Sequence, residues 1–200
     1  MKITKRTLVD AQACKDQVEL FDKTFPDGAT WPDDMEKASR AELDVGWAIR
    51  KFKLSGRCCA WHDNGQLWVD ETFERGQRHG HRRVWHDNGQ LRCDATYERG
   101  APHGRYRAWH ANGELEVDAT CERGERHGRI CEWYRDGHPA VDATYERGQR
   151  HGHCRVWHDN GQLWVDEMCE RDALHGRCRE WHANGDLLCD DMWENGRLVR

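Results

Sequence analysis

Histidine and cysteine are the first residue types to test for chemistry here, because both ligate metals and both move protons or attack electrophiles. The chain has 13 histidines and 10 cysteines in 200 residues. His62, His86, His110, His158 and His182 each follow a tryptophan, at multiples of one fixed spacing. If that spacing is one hairpin, adjacent members stand ~9.6 Å apart, two strand separations. Zinc–nitrogen bonds are ~2.0–2.1 Å, so such a row cannot share an ion. His79-Gly-His81 and His151-Gly-His153 offer two ligands each, with no evident third. The cysteines form no CxxC motif. Cys93 and Cys189 stand where other copies have Val, Cys121 and Cys169 where they have Phe or Tyr, and Cys58, Cys154 and Cys178 share a third position. That is how small apolar strand residues behave. Carboxylates recur too, at Asp70, Asp94, Asp118, Asp142, Asp166 and Asp190, and at Glu74, Glu98, Glu122, Glu146, Glu170 and Glu194. A catalytic pair is normally unique in a chain, so six copies point to a structural task. No glycine-rich loop is spaced to cradle phosphate. The expectation is a chain without catalytic residues, metal or cofactor.

The tryptophans are the stronger candidates. Trp61, Trp85, Trp109, Trp133, Trp157 and Trp181 recur every 24 residues, with Trp68 and Trp164 beside the first and fifth. Arg83, Arg107 and Arg155 each precede one of them by two positions. Trp and Arg dominate interface hot spots, and Arg over Trp adds a cation–π attraction. The six tryptophans of the 24-residue row and these three arginines are the expected partner-binding face.

The same period organises the elements that must position them. GQRHGHRRVWHDNGQ, from Gly76, returns as GQRHGHCRVWHDNGQ from Gly148, three periods later. The consensus unit is W-H-x-N-G-x-L-x-V-D-x-T-x-E-R-G-x-x-H-G-x-x-x-x, and it shows no 3.6-residue pattern. Asn-Gly favours a tight two-residue hairpin turn, and residues such as Leu91–Tyr97 alternate with period two, as a strand does. Glu-Arg-Gly-x-x-His-Gly then makes the longer return turn. A two-residue Asn88-Gly89 loop puts Arg83 opposite Asp94, and likewise Arg107 opposite Asp118, Arg155 opposite Asp166 and Arg179 opposite Asp190. One face then holds Leu, Val, Cys, Ala and Phe or Tyr, and the other Trp, Arg, Asp and Thr. A three-residue loop would instead set Trp against Leu. The expected fold is mainly β: an elongated single-layer antiparallel meander of six 24-residue hairpins with about twelve strands, led by a small helical cap.

The repeat resembles the MORN repeat, in the variant found in bacterial YwqK-family antitoxins of toxin–antitoxin systems. WHDNGQL, YERGQRHG (145–152) and CERGERHG (121–128) carry the resemblance, which covers about residues 55–200. It implies a protein-interaction array, with a toxin or other bacterial or phage conflict protein as partner. The wider MORN family implies lipid binding at a membrane surface as the alternative.

Residues 1–54 read differently. All lysines lie at or before Lys53 and all histidines after it, so the boundary falls at Leu54-Ser55-Gly56. Leu8, Ala11, Cys14, Val18, Phe21 and Phe25 recur at helical steps and are expected on one helix, ended by Pro26-Asp-Gly28. Pro32-Asp-Asp-Met-Glu starts a second helix, and Asp44 caps a third through Val45, Ala48, Ile49 and Phe52. The stretch from Ala13 to Trp31 also resembles a short helical module that precedes repeat arrays in bacterial and phage proteins. Its expected role is to cover the edge of the first hairpin.

Formal net charge is -5, carried wholly by residues after Leu54, which argues against nucleic acid. A membrane surface is disfavoured by the absence of lysine there. Neither an apolar membrane span nor a signal peptide is read, so a cytoplasmic chain with reduced thiols is expected. Self-association through an open C-terminal edge, around Trp193–Arg197, is a further expectation.

Overall fold

The computed structural model describes residues 1–199. It is mainly β, an antiparallel meander of hairpins preceded by short helices. Two compact units are formed, one by residues 1–90 and 97–101, the other by the described residues of 91–96 and 102–199.

The first unit opens with β1 (Lys2–Ile3), α1 (Lys5–Asp10), α2 (Lys15–Thr24), β2 (Ala29–Thr30), α3 (Met35–Arg40) and α4 (Val45–Phe52). The helix expected through Leu8 and Phe25 is broken. Gln12 takes φ 63°, and Ala13 N–H bonds back to Leu8 C=O at 3.0 Å, closing α1 with a Schellman-type turn. Glutamine stands where glycine usually marks such a stop, so the spacing alone gave no warning. The third helix starts as expected: the Asp44 carboxylate accepts from Trp47 N–H at 2.7 Å and caps α4.

Strands β3 (Gly56–Trp61), β4 (Leu67–Glu74) and β5 (Gln77–Trp85) follow as successive antiparallel neighbours. Met35, Val45 and Ile49 of α3 and α4 share a core with Cys58 of β3 and Phe73 of β4. Ser39 Oγ–H donates to Cys59 C=O, and Trp31 Nε1–H donates to Ser55 C=O at 2.8 Å. The helical part therefore packs on the first hairpin, filling its apolar face and satisfying the carbonyls of Cys59 in β3 and of Ser55 just before it.

The second unit contains residues 91–96 of β6 (Leu91–Glu98), then β7 (Ala101–Trp109), β8 (Leu115–Glu122), the two-residue β9 (Glu125–Arg126), β10 (Gly128–Trp133), β11 (Pro139–Glu146), β12 (Gln149–Trp157), β13 (Leu163–Glu170), β14 (Ala173–Trp181), β15 (Leu187–Glu194) and β16 (Arg197–Val199). Each pairs antiparallel with its chain neighbour, except that β9 pairs only with β8 and β10 takes the next place. The buried hydrophobic residues are Cys93, Ala95, Ala108, Ala119, Ile130, Ala143, Cys154, Cys169 and Cys178, all but Ile130 small. Cys93 and Ala95, two apart on β6, show the period-two pattern of a sheet with one apolar face.

The two turns of each repeat are the reverse of the expected pair. Arg75-Gly76, Arg99-Gly100, Arg123-Gly124 and Arg147-Gly148 have positive φ at both residues, and Glu74 pairs with Gln77 across the first. That is the primed two-residue turn. Asn-Gly belongs to the longer loop: His62 N–H bonds Gln66 C=O at 2.8 Å, Gly65 N–H bonds His62 C=O at 2.8 Å, and Gly65 alone has φ 82°. This is a type I turn closed by a left-handed glycine.

A β-bulge follows this loop, so both expected registers occur. Trp109 pairs with Leu115, as a three-residue loop requires, and two residues further from the loop Arg107 stands opposite Asp118, as the two-residue loop required. The same shift sets Arg155 opposite Asp166 and Arg179 opposite Asp190. Among the described residues, no helix is long and apolar enough to cross a membrane.

Candidate functional site

The tryptophans sit at the end of each repeat's first long strand, where the chain enters the Trp-His-x-Asn-Gly loop. Their positions are fixed through the backbone. His62 Nε2 lies 3.0 Å from Trp85 C=O, His110 Nε2 3.1 Å from Trp133 C=O, and His158 Nε2 3.1 Å from Trp181 C=O. A carbonyl only accepts, so each ring nitrogen carries the proton and donates. Where the fourth copy replaces His with Tyr134, its hydroxyl donates to Trp157 C=O at 2.7 Å. The loop asparagines make a second tie. Asn64, Asn112 and Asn160 donate Nδ2–H to Asp87, Arg135 and Ala183 C=O at 2.7, 2.8 and 2.6 Å. The histidine row thus joins one repeat to the next. Among the described residues, no group of three or more His, Cys, Asp or Glu side chains is placed to hold a metal.

The six rings are half-buried. Trp61 lies under Arg40 of α3, with the guanidinium carbon 4.2 Å from the ring centroid, so the helices claim part of its surface. Arg107 lies 5.5 Å from the Trp109 ring and Arg179 5.4 Å from the Trp181 ring. Arg83 is exposed and opposite Asp70. Arg155 reaches Asp166 at 3.4 Å, and Arg179 reaches the same carboxylate at 2.7 Å. Trp85, Trp133 and Trp157 each offer a partly exposed ring.

The repeated Asp finds its main partner on the diagonal. Arg57 grips Asp70 with Nε–Oδ1 at 2.6 Å and Nη2–Oδ2 at 2.7 Å. Arg129 grips Asp142 with both bonds at 2.8 Å, and Arg105–Asp118 and Arg177–Asp190 repeat the two-point geometry. These bonds hold the Asp70, Asp142 and Asp190 carboxyls below the usual carboxylate range. In β12 the gripping position is His153, and there Asp166 turns to Arg155 and Arg179. Arg107, released from its directly opposite Asp118, is the one that lies against Trp109.

Two segments match the MORN repeat variant. They are residues 78–99 and 150–167. Their starting points are three 24-residue periods apart, so the match falls on equivalent parts of two repeats and supports a MORN-like repeat protein. No curated protein matches the chain.

Two features were not picked out as site residues from the sequence. Trp68 and Trp164, at the bulge, are 47% exposed, and each lies beside a loop histidine; the His158 and Trp164 rings stack with centroids 5.6 Å apart. Period-two reasoning could not place them, because the bulge interrupts alternation at that residue. The other is a cavity of about 310 Å³ inside the helical part of the first unit. Short helices leave it because their apolar faces meet around small side chains such as Ala13, Ala38 and Ala48; composition carried no signal of that void.

Proposed function

We propose that this chain is a non-enzymatic scaffold that binds another protein through the Trp–Arg strip of its hairpin repeats. The observation that carries the reading is the recurrence of a partly exposed Trp ring, fixed by a backbone tie and in two copies flanked by an Arg, at one position of successive repeats. Rigid aromatic anchors beside guanidinium groups are what hot spots are made of. MORN repeats are in general motifs for protein or lipid interaction. The finer reading is an antitoxin-like or phage and bacterial conflict protein, acting in the cytoplasm on a toxin.

The test is capture of a partner by tagged full-length chain, in wild type and in Trp109→Ala with Trp133→Ala. The tie from His110 reaches the Trp133 backbone carbonyl, which alanine keeps, so the variant is expected to fold. A stoichiometric partner lost with the variant supports the strip as the site. A partner retained at equal affinity rejects it.

A further inference from the structure

The cavity in the helical part has the volume of a ligand site rather than a packing defect. About 310 Å³ lies at the small end of ligand pockets, roughly 300–1,000 Å³. Most of its wall is hydrocarbon, from residues such as Leu8, Phe21, Val45 and Trp47. Among the described residues, its only charged lining residues are Asp34 and Asp44; no Lys, Arg or His contributes. Each carboxylate is held by one backbone bond. Asp34 Oδ2 accepts from Thr30 N–H at 2.7 Å, and Asp44 Oδ1 accepts from Trp47 N–H at 2.7 Å. Among the described residues, the second oxygen of each has no hydrogen-bond or ion-pair partner.

We infer that this cavity binds a small apolar amine, with its hydrocarbon part against the apolar wall and its cationic head at Asp34 and Asp44. The wall excludes a strongly hydrated ligand, because polar groups entering it would lose water without replacement. The two carboxylates repel an apolar acid and give an ammonium head hydrogen bonds charged on both sides, against an alcohol's bonds charged on one side only. The site is separate from the Trp–Arg strip and does not depend on that reading.

Cys14 lines the cavity with an exposed thiol, so occupancy can be read as protection from iodoacetamide, followed on the Cys14 peptide by mass spectrometry. The probes are 2-phenylethylamine, 2-phenylethanol and 3-phenylpropionate, each added to the full chain. The amine is expected to protect Cys14 at about tenfold lower concentration than the alcohol, the order of the gain from a neutral to a charged donor, and the acid not at all. In Asp34→Asn with Asp44→Asn the amine and the alcohol should protect equally. Asparagine keeps the helix cap at position 44, so folding is retained. Equal protection by all three probes in wild type, or none by the amine, overturns the inference without need of a variant.

Discussion

Replacing Gly80 with alanine should destabilise the chain far more than the same change at Gly65, although the two residues have nearly the same φ. Gly65 has φ 82° and Gly80 has φ 87°. A methyl group at Gly65 would meet nothing within 4 Å, whereas at Gly80 it would lie 2.8 Å from Thr72 Oγ1. That hydroxyl cannot move away freely, because it donates to His79 C=O where β5 bulges past Thr72. Holding alanine in the left-handed region costs about 1–2 kcal/mol, and this is the whole expectation for Gly65→Ala. Gly80→Ala adds a steric term of about 1–3 kcal/mol. With a urea m-value of about 2 kcal/mol/M, the midpoint should fall by about 0.5–1 M in the first case and about 1–2.5 M in the second. The assay is urea unfolding followed by far-UV circular dichroism, with m required to stay constant. The decisive arm is Thr72→Ala. Alone it removes one hydrogen bond, about 1 kcal/mol, but in its background Gly80→Ala should cost no more than Gly65→Ala. The coupling energy of that cycle should be about 1–3 kcal/mol. If Gly80→Ala and Gly65→Ala cost the same in wild type, or the cycle shows no coupling, Thr72 is not what requires glycine in the His-Gly pair.

Further expectations concern the ties, the thiols and the ion pairs. His110→Ala should cost about 1 kcal/mol by removing the bond to Trp133 C=O, while His110→Tyr should restore most of it, because Tyr134 makes the equivalent bond; urea midpoints of the two variants compare them directly. Burial pushes the Cys58 and Cys169 thiols up to about 12 and the Cys178 thiol up to about 11, so iodoacetamide near pH 8 should modify exposed Cys14 well before any of these, and equal rates by peptide mapping would contradict that burial. The Asp70, Asp142 and Asp190 carboxyls are held below their usual range by Arg57, Arg129 and Arg177. Their contribution is therefore present above the unfolded value of about 4 and lost as pH falls through the lowered folded value. The urea midpoint should drop between about pH 5 and pH 3, and drop less in Arg129→Gln.

The 24-residue period, the hairpin character of each unit and the register through Arg107 and Asp118 could all be read from residue types, because strand alternation and repeat spacing are local properties. The turn assignment could not. Asn-Gly is a common pair for a two-residue turn, yet Asn64 is held here for its side chain. Its Oδ1 accepts from Gln66 N–H at 3.0 Å while its Nδ2–H reaches Asp87 C=O. Arginine, a poor left-handed residue, occupies the primed turn at φ near 50° in Arg75, Arg99, Arg123 and Arg147. The break between α1 and α2 was hidden for a similar reason, since Gln12 takes a conformation that glycine usually announces. The diagonal grip of Arg57 on Asp70 depends on side-chain reach, which strict cross-strand pairing does not describe. Trp61 was legible as a member of its row but not as the member shared with α3, because Arg40 reaches it from outside the repeats. The cavity depends on how four short helices fail to fill the space between them, which their sequences state only jointly.

The histidine, tyrosine and asparagine ties have a bearing on how such a chain grows. Each is written on one partner only: the donor is a particular side chain, whereas the acceptor is a main-chain carbonyl that every residue possesses. A newly copied unit therefore arrives with its own donor and finds an acceptor in whatever follows, with no matching substitution needed next door. Tandem duplication of a 24-residue segment is in consequence a nearly neutral event for the fold, and the loop residues not engaged in ties are left open to change one copy at a time. The near-identity of the phrases beginning at Gly76 and Gly148, beside the divergence of the copy around Tyr134, is the record such a history would leave.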